Sequence, residues 1–175
     1  MAFNINDFRS NVANKGGLSK SSLFEVLLTL PTGIEGNLSE LSLQCESAEL
    51  PGKTIITADS KIYGPTRKIP YQTQFSDTNL TFLCTNKFTE RQIFENWINR
   101  ITSPSTSNFR YPKDSGYMQT VYVKQFDDSG KLIAECTLLD AFPIGISSQP
   151  VNWVDETFHR LTVQFTFYKY QFITY

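Results

Sequence analysis

The sequence predicts a mainly β fold, an antiparallel sandwich or partly open barrel with one packed amphipathic α-helix, on three observations. Fourteen Phe, eight Tyr and two Trp, with many Thr, suit pleated, half-buried surfaces. Apolar and polar residues alternate with period two through several stretches separated by Pro, Gly and Asp turn signals. A single stretch, 90–101, keeps a clear helical period. At 175 residues the chain is expected to be one domain, 1–175, large enough for a sizeable core.

Residues 1–20 are polar, contain Gly16-Gly17 and show no sustained period beyond Phe3, Ile5 and Phe8, so they are expected to be a flexible N-terminal segment. The first strand is predicted over 23–30, with Phe24, Val26, Leu28 and Leu30 on one face and Pro31-Thr32-Gly33 ending it. A second is predicted over 38–46, where Leu41, Leu43 and Cys45 share a face. Leu50-Pro51-Gly52 then punctuates the chain, and a polar excursion follows over 53–69, with short strands at Ile55-Ile56 and 61–63. Its apolar residues, Ile55, Ile56, Ile62, Tyr63 and Ile69, are too interrupted by Asp59, Ser60, Lys61, Gly64 and Pro65 to build a core of their own. Exposed strands invite partners, so the excursion reads as an arm that another chain covers. Leu80, Phe82 and Cys84 mark the strand 79–84.

The helix over 90–101 has Thr89 and Gln92 at capping-box spacing, with Phe88 and Ile93 in the staple positions. Ile93, Phe94, Trp97, Ile98 and Ile101 form its apolar stripe, opposite Glu90, Arg91, Glu95, Asn99 and Arg100, and Pro104 stops it. Residues 102–117, rich in Ser, Pro and Gly, form an outer loop, either a contact surface or inert. A hairpin is predicted from 118–126 and 131–139 around Asp127-Asp128-Ser129-Gly130, with Leu132, Ala134, Cys136 and Leu138 facing inward. Pro143, Gly145 and Pro150 turn the chain over 141–154 into one long last strand, 156–170, on which Leu161, Val163, Phe165 and Phe167 alternate with polar residues.

The formal net charge of −1 provides no basic field for phosphates, which argues against a nucleic-acid binder that lives on counterion release. Cys45, Cys84 and Cys136 lack metal-ligand spacing and read as buried thiols. No signal-peptide pattern and no apolar run near ~18 residues occur, so the chain is expected to be made and kept in the cytoplasm, with no membrane contact. The triplets at Asn37 and Asn79 match the glycosylation pattern, which has no consequence without secretion. His159, the sole histidine, reads as structural rather than catalytic, and Gly16-Gly17-Leu18-Ser19-Lys20 lacks the ending of a phosphate loop. Asp127-Asp128 and Asp155-Glu156 read as solvated turn acids, so no enzyme, cofactor or metal site is expected. Tyr168, Tyr170 and Phe172, with Trp153, suit core or subunit packing, or alternatively the sugar platform of a carbohydrate-binding β-sandwich module.

Cys45-Glu46-Ser47-Ala48-Glu49-Leu50-Pro51-Gly52, the stretch Thr66-Arg67-Lys68-Ile69, Phe94 and Trp97, and Ala141-Phe142-Pro143-Ile144 with Trp153 occur in an order that resembles the tail tube proteins of contractile-tailed, T4-like bacteriophages. The resemblance spans 23–170. It implies a protomer that closes rings of six, its strands joining those of its neighbours into one large β-barrel, with rings stacked into a hollow tube that delivers DNA. The implied partners are further copies of the chain, a tail sheath protein, baseplate and tail terminator proteins and a tape measure protein in the lumen, while DNA passes without specific binding; the place is the virion. In that picture the 53–69 arm, with Ile55, Ile56, Ile62, Tyr63, Arg67 and Ile69, and the N-terminal segment contact the next ring. Strands 41–46, 61–63 and 118–139 build the wall, and Glu46, Glu49 and Glu135 lie in or beside it as lumenal acids. The sequence departs from the family in its first 20 residues and in the 102–117 loop. A tube-initiating baseplate protein of the same fold, or the inner tube of a phage-derived contractile injection system, fits the same resemblance.

Overall fold

The computed structural model describes residues 4–61, 64–112, 116–154 and 156–175. In chain order its elements are α1 (Ile5–Asn14), β1 (Phe24–Leu28), α2 (Leu38–Leu43), β2 (Cys45–Ala48), β3 (Lys53–Ser60), β4 (Arg67–Phe75), β5 (Thr78–Leu83), α3 (Thr89–Ile101), β6 (Gln119–Phe126), β7 (Leu132–Ile146), β8 (Arg160–Thr166) and β9 (Lys169–Thr174). All pairings are antiparallel, in the order β1-β6-β7-β8-β5-β2 with β9 also on β7, and the sheets do not close into a barrel. The mainly β architecture predicted from the alternation is therefore what forms.

Strand β7 organises the rest. Its first half pairs with β6 on one side and β9 on the other, and its second half pairs with β8. Asp140, between the halves, has φ of 54°, a left-handed conformation that Asp tolerates better than most residues. β8 and β9 follow each other along the same side of β7 and break at Phe167-Tyr168, beside that bend. The two halves of β7 thus belong to two sheet faces that fold over one core. Period two sends Val26, Leu28, Val121, Val123, Cys136 and Leu138 into it from one face, and Leu80, Phe82, Leu161, Val163 and Phe165 from the other. The stripe of α3 completes it: Phe94 packs on Phe82 and Phe165 at centroid distances of 5.1 and 6.1 Å, and Trp97 on Phe165 at 5.8 Å.

Several local expectations are corrected. Residues 5–14 form a helix where no element was expected. Asn4 caps it by accepting from the Asn6 N–H at 3.0 Å, and Gly16-Gly17 stops it, with Gly16 at φ 80° and both glycine N–H groups returning to Ala13 and Val12 carbonyls. That glycine pair is a helix terminator. Residues 38–43 are helical, not extended: Asn37 caps the turn through Ser39, Leu41 is buried and Leu43 points to solvent. Period two in so short a run does not distinguish a strand from one helical turn.

The capping box of α3 does not form. Its N-cap is Phe88, at φ 52° and without a side-chain cap, and Glu90 instead accepts from the Thr85 N–H and from the Thr85 and Thr89 hydroxyls. The predicted last strand, 156–170, is two strands, because β8 and β9 must follow the bend of β7, and 141–146 continue β7 rather than turning. The hairpin around Asp127–Gly130 forms as predicted, with the Asp127 carboxylate accepting from the Ser129 and Lys131 N–H groups.

Candidate assembly interface

Binding surface in this fold is traced most directly along one ribbon. β2 and β5 pair from Cys45↔Phe82 to Ala48↔Leu80, and the Glu49 N–H then donates to the Asn79 carbonyl. Gly52 donates to the Ser76 hydroxyl at 2.8 Å and accepts from the Ser76 N–H at 3.1 Å, and β3 and β4 pair from Lys53↔Phe75 to Ser60↔Arg67. A Cβ at position 52 would sit 2.9 Å from the Ser76 Oγ, so any larger residue there would have to displace the hydroxyl that accepts from the Gly52 N–H. The 53–69 excursion is thus the greater part of a β-hairpin, 53–75, that continues the β2–β5 ladder outward, and among the described residues no ladder joins it to any other strand. At its root Phe75 packs on Phe167 and Tyr170 at 5.9 and 5.4 Å. The short strands expected at 55–56 and 61–63 are replaced by this longer pair. Its length was hidden because neither strand keeps one continuous apolar face: Ile55, Ile56, Ile69 and Tyr71 are scattered among polar residues.

Of the predicted arm residues, Ile55, Arg67 and Ile69 are exposed on the hairpin and Ile56 is half-buried, while Ile62 and Tyr63 lie outside the described residues. Tyr71, on the same hairpin, is exposed as well. The three acids assigned to the wall do not form one group. Glu46, on β2, accepts from Arg160 Nε and Nη2 at 2.6 and 3.0 Å, and this guanidinium holds its carboxyl below the usual glutamate range. Glu49 accepts from the backbone and side-chain amides of Asn79 at 3.2 and 2.8 Å, fastening the ribbon where β2 gives way to the hairpin. Glu135 lies on β7 in a cross-strand row with Glu25 and Lys124, next to the Thr137 hydroxyl. On α3, Ile93, Phe94, Trp97 and Ile101 are buried and Ile98 is half-buried, so this predicted stripe belongs to the core.

Three strand edges of the main sheet are open among the described residues. β1 pairs only with β6, β2 only with β5 and β9 only with β7, so each leaves one row of backbone donors and acceptors unpaired in the protomer. Further apolar surface is exposed elsewhere, of which Val151, Val154 and Phe158 were missed from sequence. α1 buries none of its residues and exposes Ile5 and Phe8, and segment 147–159 exposes Val151, Trp153, Val154 and Phe158. Apolar residues inside a Pro- and Asn-containing, aperiodic segment are the signal that could have found the latter. In the 102–117 loop Phe109 is exposed and bridges back to Thr102.

Chemistry is sparse on this surface. The His159 ring packs on Phe88 at 5.5 Å. Among the described residues no group of three or more His, Cys, Asp or Glu has metal-binding geometry. Burial pushes the Cys45 thiol up to about 12 and Cys136 to about 11, so both are inert as nucleophiles at neutral pH. Among the described residues no helix is long and apolar enough to cross a membrane.

A family model of phage tail tube proteins matches residues 19–173. No curated protein matches the chain. Among solved structures, the chain is similar to one in the sheath–tube complex of an extracellular contractile injection system, PVC, in the extended state, with 15% identity over 95% of this chain and 97% of that one and a TM-score of 0.68. It is also similar to chains of the tube-terminating cap of the anti-feeding prophage (14% identity, 90% and 92% covered, TM-score 0.66) and of the six-fold symmetrised baseplate of that particle (11%, 90% and 96%, 0.64). At such identities the likeness speaks for the fold.

Proposed function

The chain belongs to the phage tail tube protein family, and on that premise we propose that it polymerises into the hollow inner tube of a contractile tail, as rings of six copies stacked head to tail. The observation that carries this reading is the 53–75 hairpin, which leaves its own domain with exposed Ile55, Ile69 and Tyr71 and, among the described residues, no third strand beside it. The open edges of β1 and β9 support ring closure, since joining edges between neighbours removes unpaired backbone groups. A heterologous contact about one axis closes a ring, and a different one along that axis grows a filament. The count of six follows the family resemblance and agrees with the symmetry of the baseplate to which the fold is similar.

In this reading a sheath surrounds the tube, baseplate and terminator proteins hold its ends, and a tape measure protein and then DNA occupy the lumen. The row Glu25, Lys124 and Glu135 across β1, β6 and β7, with the chain's net charge of −1, suits a wall along which phosphates slide without sticking. The likeness to injection-system chains favours a second reading, a tube of the same build whose cargo is protein, and the baseplate likeness one in which the chain initiates such a tube. Electron microscopy of purified protein over a concentration series tests polymerisation: rings or tubes are expected. A strict monomer at the highest soluble concentration, with no filaments even after seeding by a baseplate, would sink the tube reading. Tubes recovered from producing cells with protein and no DNA in their particles would transfer the assignment to the injection system.

A further inference from the structure

Segment 147–159 lies at the opposite end of the ribbon from the hairpin, and we propose that it is the seat on which the hairpin of a second, stacked copy docks, an inference that rests on the tube reading above. The segment joins β7 to β8 and is anchored at both ends. Gln149 receives Arg91 Nη1 at 2.9 Å and donates to the Arg160 carbonyl and the Cys84 sulfur, each at 3.2 Å, while His159 packs on Phe88 and its carbonyl accepts from the Cys84 N–H. These anchors set it beside the Leu83↔Arg160 end of the β5–β8 ladder. The hairpin leaves from the other end, and from Leu83 back to Arg67 the strand path covers roughly 50 Å at ~3.3 Å per residue. One copy therefore carries the hairpin and the segment at the two ends of a single ribbon.

Between the anchors Val151, Trp153, Val154 and Phe158 are almost wholly exposed, beside an open cleft of about 250 Å³. Apolar side chains of this size concentrated in one short segment mark an interaction surface, because burying them against water is favourable. Charge identifies the occupant. The sequence of 147–159 contains Asp155 and Glu156 and no Lys or Arg, whereas 53–69 contains Lys53, Lys61, Arg67 and Lys68 against Asp59 alone. The hairpin is apolar and basic, and the segment is apolar and acidic. Two unlike surfaces that complement each other, placed at opposite ends of one molecule, are what an open head-to-tail contact requires.

Two variants of the full chain test this: Trp153→Ser with Val154→Ser, and replacement of residues 54–74 by a short Gly/Ser linker. Neither alters a buried core residue, and melting curves check that both fold. Each alone is expected to stop at single rings in electron micrographs and sedimentation. Mixed together they are expected to form pairs of rings and nothing longer, since the intact hairpin of one meets the intact segment of the other. A charge pair gives an independent readout: Glu156→Lys should weaken tube growth, and Lys68→Glu should partly restore it. If the parent does not polymerise, the tube reading itself fails and takes this inference with it. If the parent polymerises and the Trp153 and Val154 variant grows equally long tubes, the segment is not the seat while the tube reading stands. If that variant stops growth but the mixture yields no paired rings, the segment meets some other partner, such as a sheath or baseplate protein, and hairpin docking is overturned.

Discussion

Trp97→Ala should be among the costliest single substitutions in the protomer. Trp97 is 0% exposed, its ring meets Phe165 at 5.8 Å in an edge-on arrangement, and Nε1 donates to the Tyr117 carbonyl at 2.8 Å inside the core. Truncation removes the packing between α3 and β8 and leaves that carbonyl without its donor. Large-to-small changes of buried aromatics cost about 3–5 kcal/mol, a substantial part of the ~5–15 kcal/mol that holds a typical domain folded. With ~2–4 °C per kcal/mol for a chain of this size, the midpoint should fall by about 6–20 °C. Trp97→Phe keeps an aromatic ring for Phe165 but loses the hydrogen bond and some volume, so its cost should be well below that of alanine, about 1–2 kcal/mol. The assay is thermal and urea unfolding followed by circular dichroism, at a concentration where sedimentation detects no polymer. A loss below about 1 kcal/mol for Trp97→Ala would refute the packing argument. Equal losses for Ala and Phe would mean that the bond to Tyr117, and not the contact with Phe165, dominates.

Two further outcomes follow from the structure. Glu90 is buried, which by itself raises its pKa, but its own N–H and the Thr85 and Thr89 donors outweigh that and hold the carboxyl below the ordinary glutamate range. A lowered folded value contributes stability above the unfolded pKa that is lost as pH falls through the folded one, so Glu90→Gln should cost about 1–3 kcal/mol at pH 7, with parent and variant converging below about pH 4; a gap that is constant with pH would contradict this. Replacing residues 54–74 while keeping Phe75, which packs on Phe167 and Tyr170, should leave the melting of the unassembled protomer within about 1 kcal/mol of the parent, since changes of loop length alter closure entropy by only ~0.6 kcal/mol per doubling. A far larger fall would show that the hairpin belongs to the protomer's own core.

How much was legible in the sequence depended on the range over which each pattern is decided. The stripe of α3 and the alternation in β1, β5, β6 and β8 each need one buried face, and burial acts on every residue of an element, so their periods survive in the sequence. The hairpin between β6 and β7 was readable for a local reason, the Asp127–Gly130 turn. Glu90 was misassigned to a solvent face because its partners Thr85 and Thr89 are brought to it by a left-handed Phe88, which no period announces.

The candidate site was less legible than the core. The sequence located an arm at 53–69 from its polarity and its lack of a core face, yet its true extent to Phe75 and its continuity with β2 and β5 depend on a pairing register, Lys53↔Phe75, that is set across the chain. Trp153, aromatic and aperiodic, could as well have been buried; its full exposure is settled by where Gln149 and His159 anchor the segment. The break between β8 and β9 likewise has no signal of its own, since it answers a bend at Asp140, some 27 residues earlier in the chain. Local periodicity and turn chemistry thus determined by themselves that this is a β-rich domain with one packed helix and a polar arm. Tertiary structure decided which edges stay open and which apolar residues stay in water, because both depend on contacts between residues far apart in sequence.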